Sequence, residues 1–292
     1  MLLGAAASAG TLILTYLAKD AVGLYASAVP AALLQHNFSV GKAYMADASN
    51  YHGAPSRDLA ALVGRLGMVA GLSFMIGPIL GSYVFDTFDV AVAASVTCCA
   101  VSAICIFIAE SYGVGGKEGD GRKKRLGKSS IVSLDVIKYP GVIPLATIRI
   151  LMSLAFNVFA TAWSPSLKAR FDFTPSMHGR LMSYVGLVYA LSQGFVSKAV
   201  IGRYGDRPRL VLSLASAFLG LGRVIAYTTS SLPVVYLTFA FIVTSLGVAN
   251  TVLSSDATRI AGEDDIGGML GFLDAVQCVS GMVGVSRFLF FF

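Results

Sequence analysis

Nine apolar runs dominate the chain, at residues 2–18, 22–46, 59–84, 88–109, 140–163, 179–201, 209–229, 232–253 and 266–288. A helix needs about 20 mostly apolar residues to cross the hydrocarbon of a bilayer. Backbone in hydrocarbon must satisfy its own hydrogen bonds, so runs of this length are expected as membrane-spanning helices. Charge content agrees: 13% of the 292 residues are Asp, Glu, Lys or Arg, against roughly 25% in soluble domains. The first run lacks the basic flank of a signal peptide and exceeds its usual apolar length, so it too reads as a span. The fold class expected is an all-α, multi-pass integral membrane protein embedded in the lipid bilayer.

The polar segments set orientation and boundaries. Only one is long, residues 111–139, and it contains GVGGKEGDGRKKRLGKSS. Its glycines and like charges cannot bury a core, which makes it a linker between a bundle at 1–110 and a second at 140–292. Loops on the linker side carry twelve Lys and Arg residues and the opposite loops three, which places the linker and the loop from Asp47 to Arg57 in the cytoplasm. The net charge of +6 does not point to nucleic acid, because the basic residues sit at the ends of apolar runs instead of lining one surface. All four cysteines lie within apolar runs without zinc-ligand spacing, and His36, His52 and His178 form no metal set. No Gly-x-Ser-x-Gly, His-Glu-x-x-His or P-loop occurs. Neither an enzyme nor a bound cofactor is expected.

Polar groups inside spans are the functional candidates, since an ionised side chain costs about 2.5–3.5 kcal/mol at a helix centre on insertion scales. Gln35, His36, Asn37 and Lys42 fall in the second run, Arg149 and Asn157 in the fifth and Gln193 in the sixth. Arg223 falls in the seventh, Asn250 in the eighth, and Asp274 with Gln277 in the ninth. Asp274 is the one carboxylate expected away from a span's ends. It can exchange a proton, as a proton-coupled carrier requires, or pair with Arg149 or Arg223 and fix packing. His36 can relay a proton or hydrogen-bond between helices. Arg149 can meet an anionic substrate group, pair with Asp274 or snorkel. Trp163, at the end of the fifth run, reads as an interfacial anchor.

Two motifs bear a resemblance. Residues 73–82, SFMIGPILGS, keep Gly77, Pro78 and Gly81 of the Gly-x-x-x-Gly-Pro-x-x-Gly-Gly fifth-helix motif of the major facilitator superfamily, with serine at both outer positions. GRYGDRPRL keeps Gly202, Asp206 and Arg207 of that family's Gly-x-x-x-Asp-Arg-x-Gly loop, with Arg209 in place of the final glycine. An echo between Asp47-Ala48-Ser49 and Asp256-Ala257-Thr258, each followed by a polar loop and a Gly-rich run, suits a fold of two related halves. The resemblance implies a drug- or cation-type secondary carrier of small organic solutes, with protons as coupling ion; the polar groups read within the spans make Asp274, Arg149, His36, Asn157, Gln193 and Gln277 the candidate substrate and proton pathway.

Aligned in this way, the nine runs are equivalent to helices three to eleven of a twelve-helix fold, and the expectation is a truncated chain. A latch is expected at the cytoplasmic side, Asp206 with Arg65 and Arg207 with Asp256, and Asp47 as a further gate residue. The rival reading is a non-transporting membrane fragment that binds a partner through its Gly- and Ala-rich helices. A channel is disfavoured, since no filter repeat is present.

Overall fold

A computed structural model describes residues 1–34, 37, 40–41, 56–84, 87–111, 134–204, 207–261 and 266–289. Regular structure among them is entirely helical. Six described helices are long and apolar enough to cross a membrane, and shorter apolar helices occupy Leu2–Leu17, Val22–Leu34 and Gly268–Ser280. Each of these nine stretches overlaps one of the nine expected runs, and six of them reach spanning length among the described residues. The chain divides into two compact units, residues 1–48 with 83–131, and residues 49–82 with 132–292.

The first unit holds α1 (Leu2–Leu17), α2 (Ala21–Ser27), α3 (Val29–Leu34) and α5 (Phe88–Ser111). Asp20 caps α2 by accepting from the Gly23 amide at 2.8 Å, which satisfies a donor the helix cannot use itself. The second run breaks at Ala28 because Pro30 has no amide hydrogen to continue the ladder. Hydroxyls hold the pieces to α1: Thr15 and Ser27 bond at 2.9 Å, and the Ala31 amide donates to Thr11 at 3.0 Å.

The second unit holds α4 (Ser56–Tyr83), a 3₁₀ turn (Leu134–Lys138), α6 (Val142–Phe171), α8 (Pro208–Thr228), α9 (Leu232–Ala261) and α10 (Ile266–Leu289). Between α6 and α8 runs α7 (Pro175–Tyr204), which carries a π-helical segment at Ser192–Val196. The α6–α7 corner is locally encoded. Asp172 ends α6 in the left-handed region, at φ 48°, and Thr174 caps α7 ahead of Pro175 in the first turn, where a missing amide hydrogen costs nothing.

Lipid exposure is written on α8. Val211, Ala215, Leu219, Gly222 and Ala226 make a buried stripe at helical spacing, while Leu214, Phe218, Leu221 and Val224 are exposed. Both faces are apolar, the signature of a helix with protein on one side and hydrocarbon on the other.

One expectation is corrected here. The helix of the fifth run continues eight residues past Trp163, to Phe171, so Trp163 is internal and only 4% exposed. Its ring packs 5.3 Å from Phe159 and 4.8 Å from Phe239, centroid to centroid. It is a core residue and not an interfacial anchor. The polar end of α6 is held instead by Arg170, which donates to the carbonyls of Ala226 and Thr229 at the C-terminus of α8, where a helix concentrates negative partial charge.

Candidate transport site

Arg149, Ser153 and Asn157 recur every four residues on α6, so they share one face. That face meets α10 and α9. The Arg149 Nη1 donates to Asn250 Oδ1 at 2.6 Å, and its Nη2 lies 3.4 Å from Asp274 Oδ1. The two charged side chains retain 12% and 21% of their exposure. The third donor of the guanidinium, Nε, is buried and has no hydrogen-bond partner. One turn on, Ser153 Oγ donates to the Gln277 carbonyl at 3.1 Å, and Asn157 Nδ2 donates back to the Ser153 carbonyl at 2.8 Å. Asp274 and Gln277, three residues apart, both reach this face, Asp274 by its side chain and Gln277 by its main chain. The Gln277 side chain itself is exposed.

A second polar knot adjoins the first. Gln193 is 4% exposed; its Nε2 donates to the Gly247 carbonyl at 3.1 Å and its Oε1 accepts from Thr251 at 2.9 Å. Tyr189, one turn earlier on α7, lies near enough to Gln193 and Arg149 for its phenol to feel both. The knot lies on the π-helical segment, an irregularity that re-aims side chains and concentrates at functional positions.

Glycine lets three helices approach this knot. A methyl group built at Gly67 would lie 2.9 Å from Gln193 Cγ, one at Gly64 3.1 Å from the Gln193 carbonyl, and one at Gly247 2.7 Å from Ser192 Oγ. Further along, a methyl at Gly71 would meet the Ala190 amide nitrogen at 2.6 Å, one at Gly186 would strike the Met75 backbone, and one at Gly179 would lie 2.8 Å from Ser82 Oγ. Partners on α7 count down from 193 to 179 as α4 counts up from 64 to 82, so the two helices cross antiparallel in near backbone contact. Small residues on both sides make such an approach possible. Gln193→Met, which keeps the volume and removes both bonds, is expected to cost about 1–2 kcal/mol, as interhelical bonds of this kind do. Unfolding in mixed micelles measures it.

The remaining expected residues are placed as follows. Gly77 and Gly81 have open space where a methyl would stand, so close approach falls on Gly64, Gly67, Gly71 and Ser82. Pro78 lies inside a continuous α4, and its carbonyl faces Gly179. Gly202 also has open space beside it. Arg65 and Arg207 are exposed. Asp256 is half-buried, with Arg259 at 3.8 Å and Arg209 acting on it electrostatically. His36, Asp47 and Asp206 lie outside the described residues, and so does one member of the Asp206–Arg65 pair. Among the described residues no three His, Cys, Asp or Glu side chains come together as metal ligands would.

Ser153, Tyr189 and Thr251 went unnoticed in the sequence. Hydroxyls are common in spans, where they bond the preceding turn's carbonyl as Ser183 bonds Gly179, so they carry little signal alone. The four-residue spacing from Arg149 to Asn157 was the readable sign for Ser153.

Comparison with known proteins agrees with this architecture. The chain is 27% identical to mouse solute carrier family 22 member 18 over 268 residues, covering 89% of this chain and 64% of the relative. It is 26% identical to human solute carrier family 67 member A1, covering 94% and 64%. A shorter match, 25% identical over 145 residues, covers 49% of this chain and 35% of the class C tetracycline resistance protein of Escherichia coli. The chain thus spans just under two thirds of the length of the first two relatives. In fold it superposes on the crystal structure of the human organic anion transporter MFSD10 (TETRAN) with a TM-score of 0.70 and 19% identity, over 97% of this chain and 68% of that one. The profile of the Major Facilitator Superfamily matches residues 1–285, taking in every described span, and on that match the chain belongs to the major facilitator superfamily.

Proposed function

We propose that the chain works as a secondary active transporter of small organic solutes or drugs, of the organic-cation-like type that the sequence resemblance implies, driven by protons through alternating access. The observation that carries this reading is the Arg149–Asp274 pair, 3.4 Å apart and mostly buried at a junction of three apolar helices. Such charges are costly in a membrane and mark substrate and proton routes. Asp274 is the proton site and Arg149 its counter-charge. Asn157, Gln193 and Gln277 supply polar groups to the route, and His36 is kept from the sequence as a proton-relay candidate.

Asp47, Arg65, Asp206, Arg207 and Asp256 form the cytoplasmic gate in this reading, with Gly77, Pro78, Gly81 and Gly202 shaping the helix and loop that carry it. Exposed ion pairs contribute only about 0–1 kcal/mol, which suits contacts that must open in every cycle. The relatives' own names, a tetracycline resistance protein and an organic anion transporter among them, support small organic molecules as the cargo class.

Flux into proteoliposomes under an imposed pH gradient tests the reading. Gradient-driven accumulation of organic solutes is expected, and Asp274→Asn should abolish its dependence on the gradient. Equal flux in the variant would remove Asp274 as the proton site, and absence of gradient-driven flux for every solute offered would remove the transport reading.

A further inference from the structure

We infer that Arg223 holds the phosphate of an anionic phospholipid in the non-cytoplasmic leaflet, at the corner where α6 and α8 end and begin to meet the bilayer surface. The inference stands apart from the transport reading and needs only that these helices cross a bilayer. Arg223 is a half-buried cation within a span, and the route assigned to Arg149 and Asp274 does not use it. Its Nε is buried and has no acceptor on the protein. Among the described residues no carboxylate is paired with it. What it touches is the Phe159 ring, 5.6 Å from guanidinium carbon to ring centroid. A ring face attracts a cation but supplies no counter-charge. A guanidinium stays protonated in proteins, so the charge calls for a partner from outside the chain.

Position in the bilayer selects that partner. The 21 residues of α8 rise about 30 Å, the thickness of the hydrocarbon layer. Arg223 stands five residues before the helix end at Thr228, so its backbone lies about 7–8 Å inside that boundary. A long basic side chain at this depth can extend to the level of the phosphates. Lipid has access, because Val224 and Tyr227 beside it are 60% and 65% exposed. The loop charges put this end of α8 on the non-cytoplasmic side.

Charge complementarity favours an anionic lipid over a zwitterionic one. Lys168 and Arg170 occupy the last turn of α6 and are two of the three basic residues that the non-cytoplasmic loops carry. Asp172 is the one acidic residue among positions 164–182 and 220–240, so the corner is net positive. Arg170 already donates to the carbonyls of Ala226 and Thr229 and lies over the Tyr227 ring at 5.9 Å, one turn beyond Arg223. Arg223 is therefore the cation with donors to offer, while Arg170 and Lys168 add attraction at longer range. A phosphate diester carries one negative charge on two free oxygens, which match the fork of a guanidinium.

Trp163, the single tryptophan of the chain, reports on this corner, since Phe159 contacts both its ring and Arg223. The full chain is reconstituted in phosphatidylcholine bilayers containing a small fraction of lipid brominated on its acyl chains, either phosphatidylglycerol or phosphatidylcholine. Bromine quenches tryptophan only at short range, so quenching reads which lipid resides there. Brominated phosphatidylglycerol is expected to be preferred by at least about fivefold, the effect of one basic side chain at a charged membrane surface. Arg223→Gln should remove the preference, and Arg223→Lys, which keeps the charge without the fork, should keep a weaker one. Arg203→Gln, at the exposed opposite end of α7, should leave it unchanged. A single size-exclusion peak and parental Trp163 emission in unbrominated bilayers identify each variant as folded. Equal quenching by the two lipids in the parent, or an undiminished preference in either folded Arg223 variant, would overturn the inference. So would loss of the preference on adding millimolar inorganic phosphate at constant ionic strength, which would make this a site for free phosphate.

Discussion

Gly71→Val and Gly186→Val are each expected to abolish recovery of folded protein from detergent, whereas Gly77→Ala and Gly81→Ala should leave the yield and the unfolding midpoint unchanged or slightly raised. All four glycines lie on the same two helices, so the contrast isolates the crossing. At Gly71 the first added carbon would lie 2.6 Å from a backbone nitrogen of α7, and at Gly186 it would strike the backbone of α4. Neither obstacle is a flexible side chain that can turn aside. The helices must separate, and separation strips neighbouring contacts at Gly64, Gly67 and Gly179 together. Overpacking costs about 1–3 kcal/mol at a site able to relax and more where backbone opposes backbone. At Gly77 and Gly81 nothing stands within 4 Å of the added carbon, and alanine favours a helix interior by up to about 1 kcal/mol over glycine. Size-exclusion chromatography after membrane extraction, with thermal unfolding of the monodisperse fraction, reads both halves of the comparison. Equal losses in all four variants would sink the assignment of the crossing to the Gly64–Gly67–Gly71 face.

The spans were legible because the bilayer imposes one length and one composition on every helix that crosses it, and the apolar runs record both. Their ends were less legible. The helix after Gly141 runs on through Ser164, Pro165 and Lys168, since a polar residue past the hydrocarbon can stay helical, and this is why Trp163 looked terminal and is internal. For the site, rarity was the useful signal. Arg149 and Asp274 stood out because charges in spans are expensive, and they do meet. Their third partner, Asn250, appeared only as one polar residue among several, since nothing in a single chain tells which helices are neighbours. The glycines divide between motif and crossing. The motif drew attention to Gly77 and Gly81, while the near backbone contact is made by Gly64, Gly67 and Gly71, which ordinary small-residue spacing already marks.

Arg149→Met and Asp274→Leu, made singly, are expected to destabilise the protein by about 3–5 kcal/mol each, while the double variant Arg149→Met/Asp274→Leu should recover most of that loss. Removing either partner leaves the other charge in a site where the parent side chains are only 12% and 21% exposed. The penalty is therefore the desolvation of an ion that has lost the counter-charge described for it, larger than the worth of the contact itself. Removing both leaves apolar side chains of similar bulk against α6, α9 and α10, and the chief residual cost is Asn250, which loses the donor now 2.6 Å from its Oδ1. Equilibrium unfolding of the four proteins in mixed micelles gives the coupling energy directly. A double variant that folds as well as the parent but no longer accumulates solute would separate chemistry from packing, because a pair kept only to hold helices together can be replaced by a well-packed apolar pair without loss of function. A double variant as unstable as the worse single variant would mean that the two side chains do not act as a pair, and the roles assigned to Arg149 and Asp274 would fall with it.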